Sequence, residues 1–447
     1  MDRDRTLIND GAIVTKGDRI LDVGKSTELD HRYDALKTIN GTDKLVLPGL
    51  INAHLHFFHH MHKNLSPENL GLIRFANWHN RHIGPLLTAE DEIIGGLALL
   101  IETLKSGTTT YVEDGCFFPE NALEGVVKLG MRGSMGRRVF DQAVRGYSKM
   151  VQSTDDCLRL NEEFINRYKN GLGNGRIKPH LSVMGMGRCT DRLLVESKRI
   201  ADRYNVSMHL HTAASIEVVM DSIAQTGHRP VEHLDHLGVL GHNVVLSHMV
   251  HVNAKEIQMI KQYESHIVHC PTIALKLVLG LSSFGRIPEM LNAGVNVCLG
   301  SDVSDGGSYH DMIRITYLVA VLFKDYRFDP GVIPAETAIE MATINGARAL
   351  GLEDEIGSLE KGKKADIILI SMEGPEWIPR YNPIQNLVYS SSGSSVKTAI
   401  IDGKIVMEDR EIKTVDEAKI LSSCQALSRR ILQQNGINPI NTFWRVV

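Results

Sequence analysis

The sequence predicts an α/β protein, a closed parallel (β/α)8 barrel beside a small β-rich domain built from both chain ends. Three observations lead there. Short β-rich runs alternate with longer helical stretches from Pro48 to about residue 350. Short strands broken by glycine recur at both ends of the chain. Histidines and one aspartate stand at the ends of several predicted strands, where a parallel barrel carries its active residues.

Residues 1–47 read as strands and turns. Ala12-Ile13-Val14, Arg19-Ile20-Leu21-Asp22-Val23 and Lys44-Leu45-Val46-Leu47 are apolar runs separated by Gly17, Gly24 and Gly41. Eight strands are then predicted at residues 49–54, 109–113, 132–139, 180–184, 207–212, 244–248, 266–269 and 295–299. Between them, stretches such as 90–105, 191–204 and 254–263 place apolar residues at helical spacing. An open doubly wound sheet is the competing arrangement, but no glycine-rich phosphate turn follows any strand. After residue 350, strands return at 366–370, 398–401 and 404–407, the last two joined by Asp402-Gly403, a strong hairpin signal. The expected domains are therefore 48–354 for the barrel, and 1–47 plus 355–447, with a helical tail, for the small domain.

Composition narrows the function. The 447 residues are 43% hydrophobic and 23% charged, ordinary for a globular protein with a large core. A net charge of −4, with no basic run interleaved with aromatics, argues against nucleic acid as a partner. No apolar stretch approaches the ~18 residues of a membrane span. The charged opening Met1-Asp2-Arg3-Asp4-Arg5 lacks the apolar segment of a secretory leader, and the six cysteines form no CxxC pair. A cytoplasmic protein with reduced thiols is expected.

Twenty histidines are present, and their placement carries the chemistry. His54 and His56 lie two apart at the end of the first barrel strand, so both rings project from one face. His211 ends the fifth strand, His248 the sixth and His269 the seventh, and Asp302 follows the eighth. A lone histidine at a strand end is more often a hydrogen-bonded core residue than a ligand, and Asp302 beside Ser301 and Ser304 is compatible with a simple turn cap. Their joint occurrence in strand order favours a site for Zn²⁺, Fe²⁺ or Mn²⁺.

These motifs resemble the amidohydrolase superfamily, in the subgroup of triazine hydrolases, chlorohydrolases and guanine- or adenosine-type deaminases. The resemblance covers nearly the whole chain. It rests on residues 46–56, on Glu-Thr-Leu-Lys-Ser-Gly-Thr-Thr-Thr at 102–110, on His269-Cys270-Pro271, on 293–302 and on 341–370. It implies a distorted (β/α)8 TIM barrel with a small β-sandwich. It also implies one divalent metal, Zn²⁺ first, with Fe²⁺, Mn²⁺ or Co²⁺ as alternatives, held by His54, His56, His211 and Asp302. His248 is implied to bond the substrate or water, and a homo-oligomer is implied. Two-metal relatives carry a carboxylated lysine at the end of strand 4; here that strand has none near its end, so a mononuclear site is expected. Asp302 is suited to accept the water proton and pass it to the leaving group, and His248 to polarise the electrophile.

The chain departs from the family pattern around the pocket. Deaminases of the subgroup carry a glutamate three residues after the strand-5 ligand, where this chain has Ala214. Glu217, one turn on, is the nearest replacement. His59 stands where glutamine is usual, Ile273-Ala274 and Gly306-Gly307 replace Ser-Asn pairs, and the usual Pro-His-Ala after strand 4 is missing. The amino-terminal part lacks about 15–20 residues typical of relatives, by motif matching. The loop after strand 1 is aromatic and histidine-rich, with Trp78 beyond, so His59, Trp78, His248, Ala214 and Glu217 are the expected substrate contacts, for a small-molecule substrate. Without a ring-protonating glutamate, the first expectation is hydrolysis of a C–N or C–S bond at an exocyclic carbonyl of an amide, carbamate, thiocarbamate or urea. The alternative is an aminohydrolase of a purine, pterin or triazine-type heterocycle, with Glu217 or His248 replacing the lost acid.

Overall fold

The eight barrel strands are buried along nearly their whole length, as suits parallel strands covered by helices within a closed layer, although β-rich runs such as 108–116 and 132–139 carry many polar residues. The computed structural model describes residues 2, 4–143, 150–307 and 309–437. Two strands, β1 (Gly11–Lys16) and β2 (Arg19–Lys25), pair antiparallel, and β3 (Lys44–Pro48) follows. The barrel strands are β4 (Leu50–Leu55), β5 (Thr108–Cys116), β6 (Arg132–Val139), β7 (Ile177–Val183), β8 (Met208–Thr212), β9 (Val244–His248), β10 (His266–His269) and β11 (Val297–Leu299). They lie side by side in chain order, all parallel. Each predicted strand is present, with ends shifted by a few residues.

The barrel closes between its first and last strands by a thin seam. Leu55 and Asp302 form an isolated parallel bridge. The amides of Ser301 and Asp302 both donate to the His54 carbonyl, at 3.0 and 2.9 Å. The buried Asn52 side chain donates to Ser301 Oγ at 2.7 Å and accepts from the Ser301 amide at 3.0 Å. The distortion of the barrel lies here, because side chains and single bonds replace a regular ladder.

The longest barrel helix, Ala89–Lys105, starts at a capping box in which Thr88 and Asp91 satisfy each other's backbone amides. Its interior Gly95-Gly96 is costly for a helix by itself. A Cβ on Gly96 would lie 2.5 Å from the Phe57 ring, and one on Gly95 2.8 Å from Met61. Both glycines therefore let the turn Phe57–His62 press onto the helix. The helical tail Glu417–Asn435 packs on this same helix through Arg430–Asp91 and Lys105–Glu417 ion pairs, so it sits against the barrel.

The remaining strands are β12 (Ile367–Ser371), β13 (Val396–Ile401), β14 (Lys404–Glu408) and β15 (Glu411–Ile412). With β3 they form a five-stranded antiparallel sheet ordered β15-β14-β13-β12-β3. Asp402 and Gly403 turn the β13–β14 hairpin with φ of +49° and +70°, as an Asp-Gly turn requires. The two chain ends share less hydrogen bonding than expected. Both edges of β12 are taken, by β3 and β13, so β1 and β2 form their own two-stranded sheet. That sheet stacks through Ile20 on Leu359, Ala365, Ile367 and Leu369. Among the described residues no helix is long and apolar enough to cross a membrane.

At the amino-terminal ends of the barrel strands, the small sheet is fastened by buried charge. Arg132, which opens β6, donates to Asp366 Oδ2 at 2.7 Å and Oδ1 at 3.1 Å, and also pairs with Asp402. Removing one partner of a buried pair strands the other charge. Arg132→Met is expected to destabilise the protein by about 3–5 kcal/mol. The check is the unfolding midpoint in denaturant, which a merely exposed arginine would leave unchanged.

Candidate metal centre

Closure of the barrel brings its strand ends into one small space. His54 lies within β4, and His56 follows one residue beyond its end. Their rings meet edge to face with centroids 4.7 Å apart. His211, in β8, lies 5.0 Å from the His54 ring and 5.4 Å from that of His56. Asp302 Oδ1 is 3.6 Å from Nε2 of both His54 and His56. His211 Nε2 approaches His56 Nε2 to 3.4 Å, and His248 Nδ1 lies 3.6 Å from Asp302 Oδ2. The backbone is held unusually at both loop ends. His248 has φ of +77° and Asp302 +63°, a left-handed conformation costing ~1–3 kcal/mol in residues other than glycine. The fold bears that strain where the two side chains turn towards the histidines.

The donor set fits a divalent cation. His54 Nε2, His248 Nδ1 and Asp302 Oδ2 are buried without hydrogen-bond partners. Among the described residues, His54, His56 and His211 form one group able to hold an ion, and His54, His248 and Asp302 another. Burial drives His56 and His211 well below the usual imidazole value, leaving them neutral, the form that ligates metal. Burial also pushes against charge on His54, but the Asp114 and Asp302 carboxylates facing its two ring nitrogens outweigh it and raise it to about 9. Burial would raise Asp302, yet the facing His54 holds it well below the carboxylate range. The site is thus built to keep one concentrated positive charge between two carboxylates.

Asp114, near the end of β5, was not singled out from sequence. Its Oδ2 lies 3.1 Å from His54 Nδ1, where Ser247 Oγ also sits at 3.1 Å. A carboxylate behind a ligating histidine fixes the ring and its basicity. Arg138, in β6, was missed too. Its guanidinium is 3.5 Å from His56 Nδ1 and lies over the Phe58 ring at 4.9 Å. The signal was available for both, since each is an ionisable residue near the end of a barrel strand. No lysine ends β7; Lys178, at its start, is exposed.

The amidohydrolase family model matches residues 45–406. The chain belongs to the amidohydrolase family. Among its relatives, a 5-methylthioadenosine/S-adenosylhomocysteine deaminase of Thermoanaerobacter pseudethanolicus is 33% identical over 437 residues, 97% of each chain. One of the same name from Aquifex aeolicus is 31% identical over 94% of each chain. The crystal structure of an adenosine deaminase from Xanthomonas campestris with bound zinc matches with a TM-score of 0.88 at 26% identity, over 96% of this chain and 95% of that one. An atrazine chlorohydrolase from Arthrobacter aurescens complexed with zinc shares the fold, with a TM-score of 0.86 at 21% identity, over 96% and 97%. This amidohydrolase is a hydrolase with a divalent-metal cofactor.

The expected substrate contacts of the amidohydrolase do not all reach the centre. Ala214 is buried just after β8. Glu217 is exposed in the first turn of the helix Ile216–Thr226, so the structure does not bring it to the metal ligands. Trp78 lies beside Met61, Ile83 and Ile431, against the carboxy-terminal helix. The reason is helical geometry. In Leu72–His82, Phe75 and His79 are four apart and share the buried inner face, while position 78 turns about 100° away. His59 is buried and bonds Asp305 Oδ1 at 2.8 Å, so it faces a neighbouring cluster and not open pocket space. Among the described residues, His269 joins neither ligand group.

Asp114→Asn is expected to weaken metal affinity about 10–100-fold. Zinc retained after dialysis against graded chelator measures this. Asp302→Ala is expected to cost at least ~100-fold in kcat, the scale of general acid–base catalysis, and to lower metal content. Unaltered turnover in that variant would remove Asp302 from the chemistry.

Proposed function

We propose that this amidohydrolase is a metal-dependent aminohydrolase of an aminated purine nucleoside or related amino heterocycle, releasing ammonia. The observation that carries this reading is similarity over nearly the full chain to proteins named as 5-methylthioadenosine/S-adenosylhomocysteine deaminases. Those relatives favour the second of the two activities expected from sequence. His54, His56, His211 and Asp302 are the proposed metal ligands. A divalent cation, when bound, acidifies water and polarises the carbon under attack.

The protein's own groups then handle the protons. Asp302, with one carboxylate oxygen beside His54 and His56 and the other facing His248, accepts the proton of the attacking water. It returns that proton to the departing amine, so that water and the amino substrate become a carbonyl product and ammonia. Burial lowers His248 to about 4, so at neutral pH its ring is uncharged and keeps one N–H to donate. With Ala214 in place of a carboxyl and Glu217 turned to solvent, His248 is the group left to hydrogen-bond the ring nitrogen of the substrate.

A specific observation favours a second reading. Ala214 supplies no acid, and a stable heteroaromatic ring needs one more than an exocyclic carbonyl does. Amide, carbamate, thiocarbamate or urea cleavage requires protonation only of the leaving group, which Asp302 alone can provide.

The two readings separate in one assay. Metal-loaded protein is incubated with 5′-methylthioadenosine, S-adenosylhomocysteine and adenosine, and in parallel with carbamates, thiocarbamates, phenylureas and anilides. Ammonia release with the absorbance change from adenine to hypoxanthine is expected. Turnover confined to the carbonyl panel would replace the first reading with the second.

A further inference from the structure

Beside the metal centre lies a second cluster of buried ligating side chains that the proposed mechanism does not use. His59 and His62 come from the turn Phe57–His62, His79 from the helix Leu72–His82, and Asp305 from the short helix Ser304–Gly307. All four are buried, and one ligand atom from each lies within 4.8 Å of the others. His59 Nδ1 is 2.8 Å from Asp305 Oδ1, His62 Nε2 is 3.7 Å from Asp305 Oδ2, and His62 Nε2 is 2.7 Å from His79 Nε2. We propose that His59, His62, His79 and Asp305 form a second, closed divalent-metal site of the kind zinc occupies.

Two features point to a cation and not to a plain hydrogen-bonded knot. Asp305 Oδ2 is fully buried, aimed at the cluster, and has no hydrogen-bond donor. Burial raises Asp305 to about 7, so without a positive partner the carboxyl is drawn towards its neutral form, and a cation among the three rings would hold it ionised and complete Oδ2. The nearby Lys276 ammonium donates to the Asp305 backbone carbonyl at 3.1 Å. The second feature is the donor set. Burial holds His59, His62 and His79 well below the usual imidazole range, so each offers a neutral ring. Three neutral imidazoles and one carboxylate are hard to satisfy among themselves, because each neutral ring has a single N–H to give. Tetrahedral zinc, with bonds of about 2.0–2.1 Å, would space its ligand atoms about 3.3 Å apart. The observed separations bracket that value: the His62–His79 and His59–Asp305 pairs, at 2.7 and 2.8 Å, would open, and the His62–Asp305 pair, at 3.7 Å, would close.

The site is distinct from the metal centre. The His56 and His59 rings are 6.1 Å apart, and the two donor sets share no residue. Four protein ligands leave no open position, which is the pattern of a structural ion. Such an ion would tie the strand-1 turn, the helix beyond it and the loop after β11 into one wall over the barrel mouth. His59 stands where the family resemblance expects glutamine, so the family pattern does not account for this cluster.

The test is metal stoichiometry, read independently of activity. Protein stripped with chelator, reloaded with Zn²⁺ and desalted is expected to hold two equivalents per chain. Asp302→Ala is expected to keep the second ion, whose X-ray absorption spectrum shows nitrogen and oxygen ligands only. The double variant His79→Gln/Asp305→Asn is expected to hold one ion fewer than wild type. Anomalous scattering at the zinc edge from wild-type crystals locates the ion without any variant. Saturation of wild type at one equivalent, with no anomalous peak among the four side chains, overturns the proposal. Loss of the ion at His54 and His56 alone would instead count against the first centre.

Discussion

The His54 carbonyl accepts the amides of both Ser301 and Asp302, and the rest of the site depends on that contact. It joins the first barrel strand to the last. Without it, the paired histidines of β4 and the aspartate after β11 belong to opposite edges of a curved sheet. Asn52 reinforces the seam with two bonds to Ser301. His310 braces the loop after β11 itself, with Nδ1 2.5 Å from Ser301 Oγ and Nε2 2.7 Å from Ser304 Oγ. Closing the barrel and assembling the donor set are the same event, so fold stability and metal binding are coupled through one short stretch of backbone.

Charge organises the interior around that seam. Asp114 and Asp302 approach His54 from opposite ring nitrogens, and both carboxylates are buried. Buried carboxylates persist in the charged form only when something positive faces them. A proton on His54 or a bound cation meets that need, which explains why Asp114 lies deep in the barrel and not at its rim. Ser182 donates to Asp114 Oδ1 at 3.1 Å and holds it in register. At the other end of the barrel, Arg132 performs the converse task for Asp366 and Asp402. One end of the strands is thereby committed to chemistry and the other to cohesion, the division expected of a parallel barrel.

The region over the barrel mouth packs as a unit. Gly95 and Gly96 allow the Phe57–His62 turn to sink onto its helix, and Gly307 fits where a Cβ would come within 2.9 Å of the Ser301 carbonyl oxygen. That packing turns three histidines and Asp305 towards one another. Position 214, where the family resemblance leads one to expect a carboxyl, holds the buried Ala214.

Much of the fold was legible in the residues. Eight strands and the helices 89–105, 191–204 and 254–262 follow from periodicity, because burying one face of each element imposes a local pattern. His54 and His56 were legible because a strand presents alternate residues to one side. Trp78 and Glu217 misled, because an aromatic or an acid near a motif says nothing about which way its helix turns. His79, one position from Trp78, faces inward, and a single residue step on a helix decided that. By itself, the sequence determined the alternating elements, the order of the strand-end histidines and the family. Only the tertiary structure decided that Asp114 backs His54, that His59 faces Asp305, and that the tail helix clasps the barrel. Those contacts join residues 60 or more positions apart, and no local period encodes where closure of a barrel will bring them.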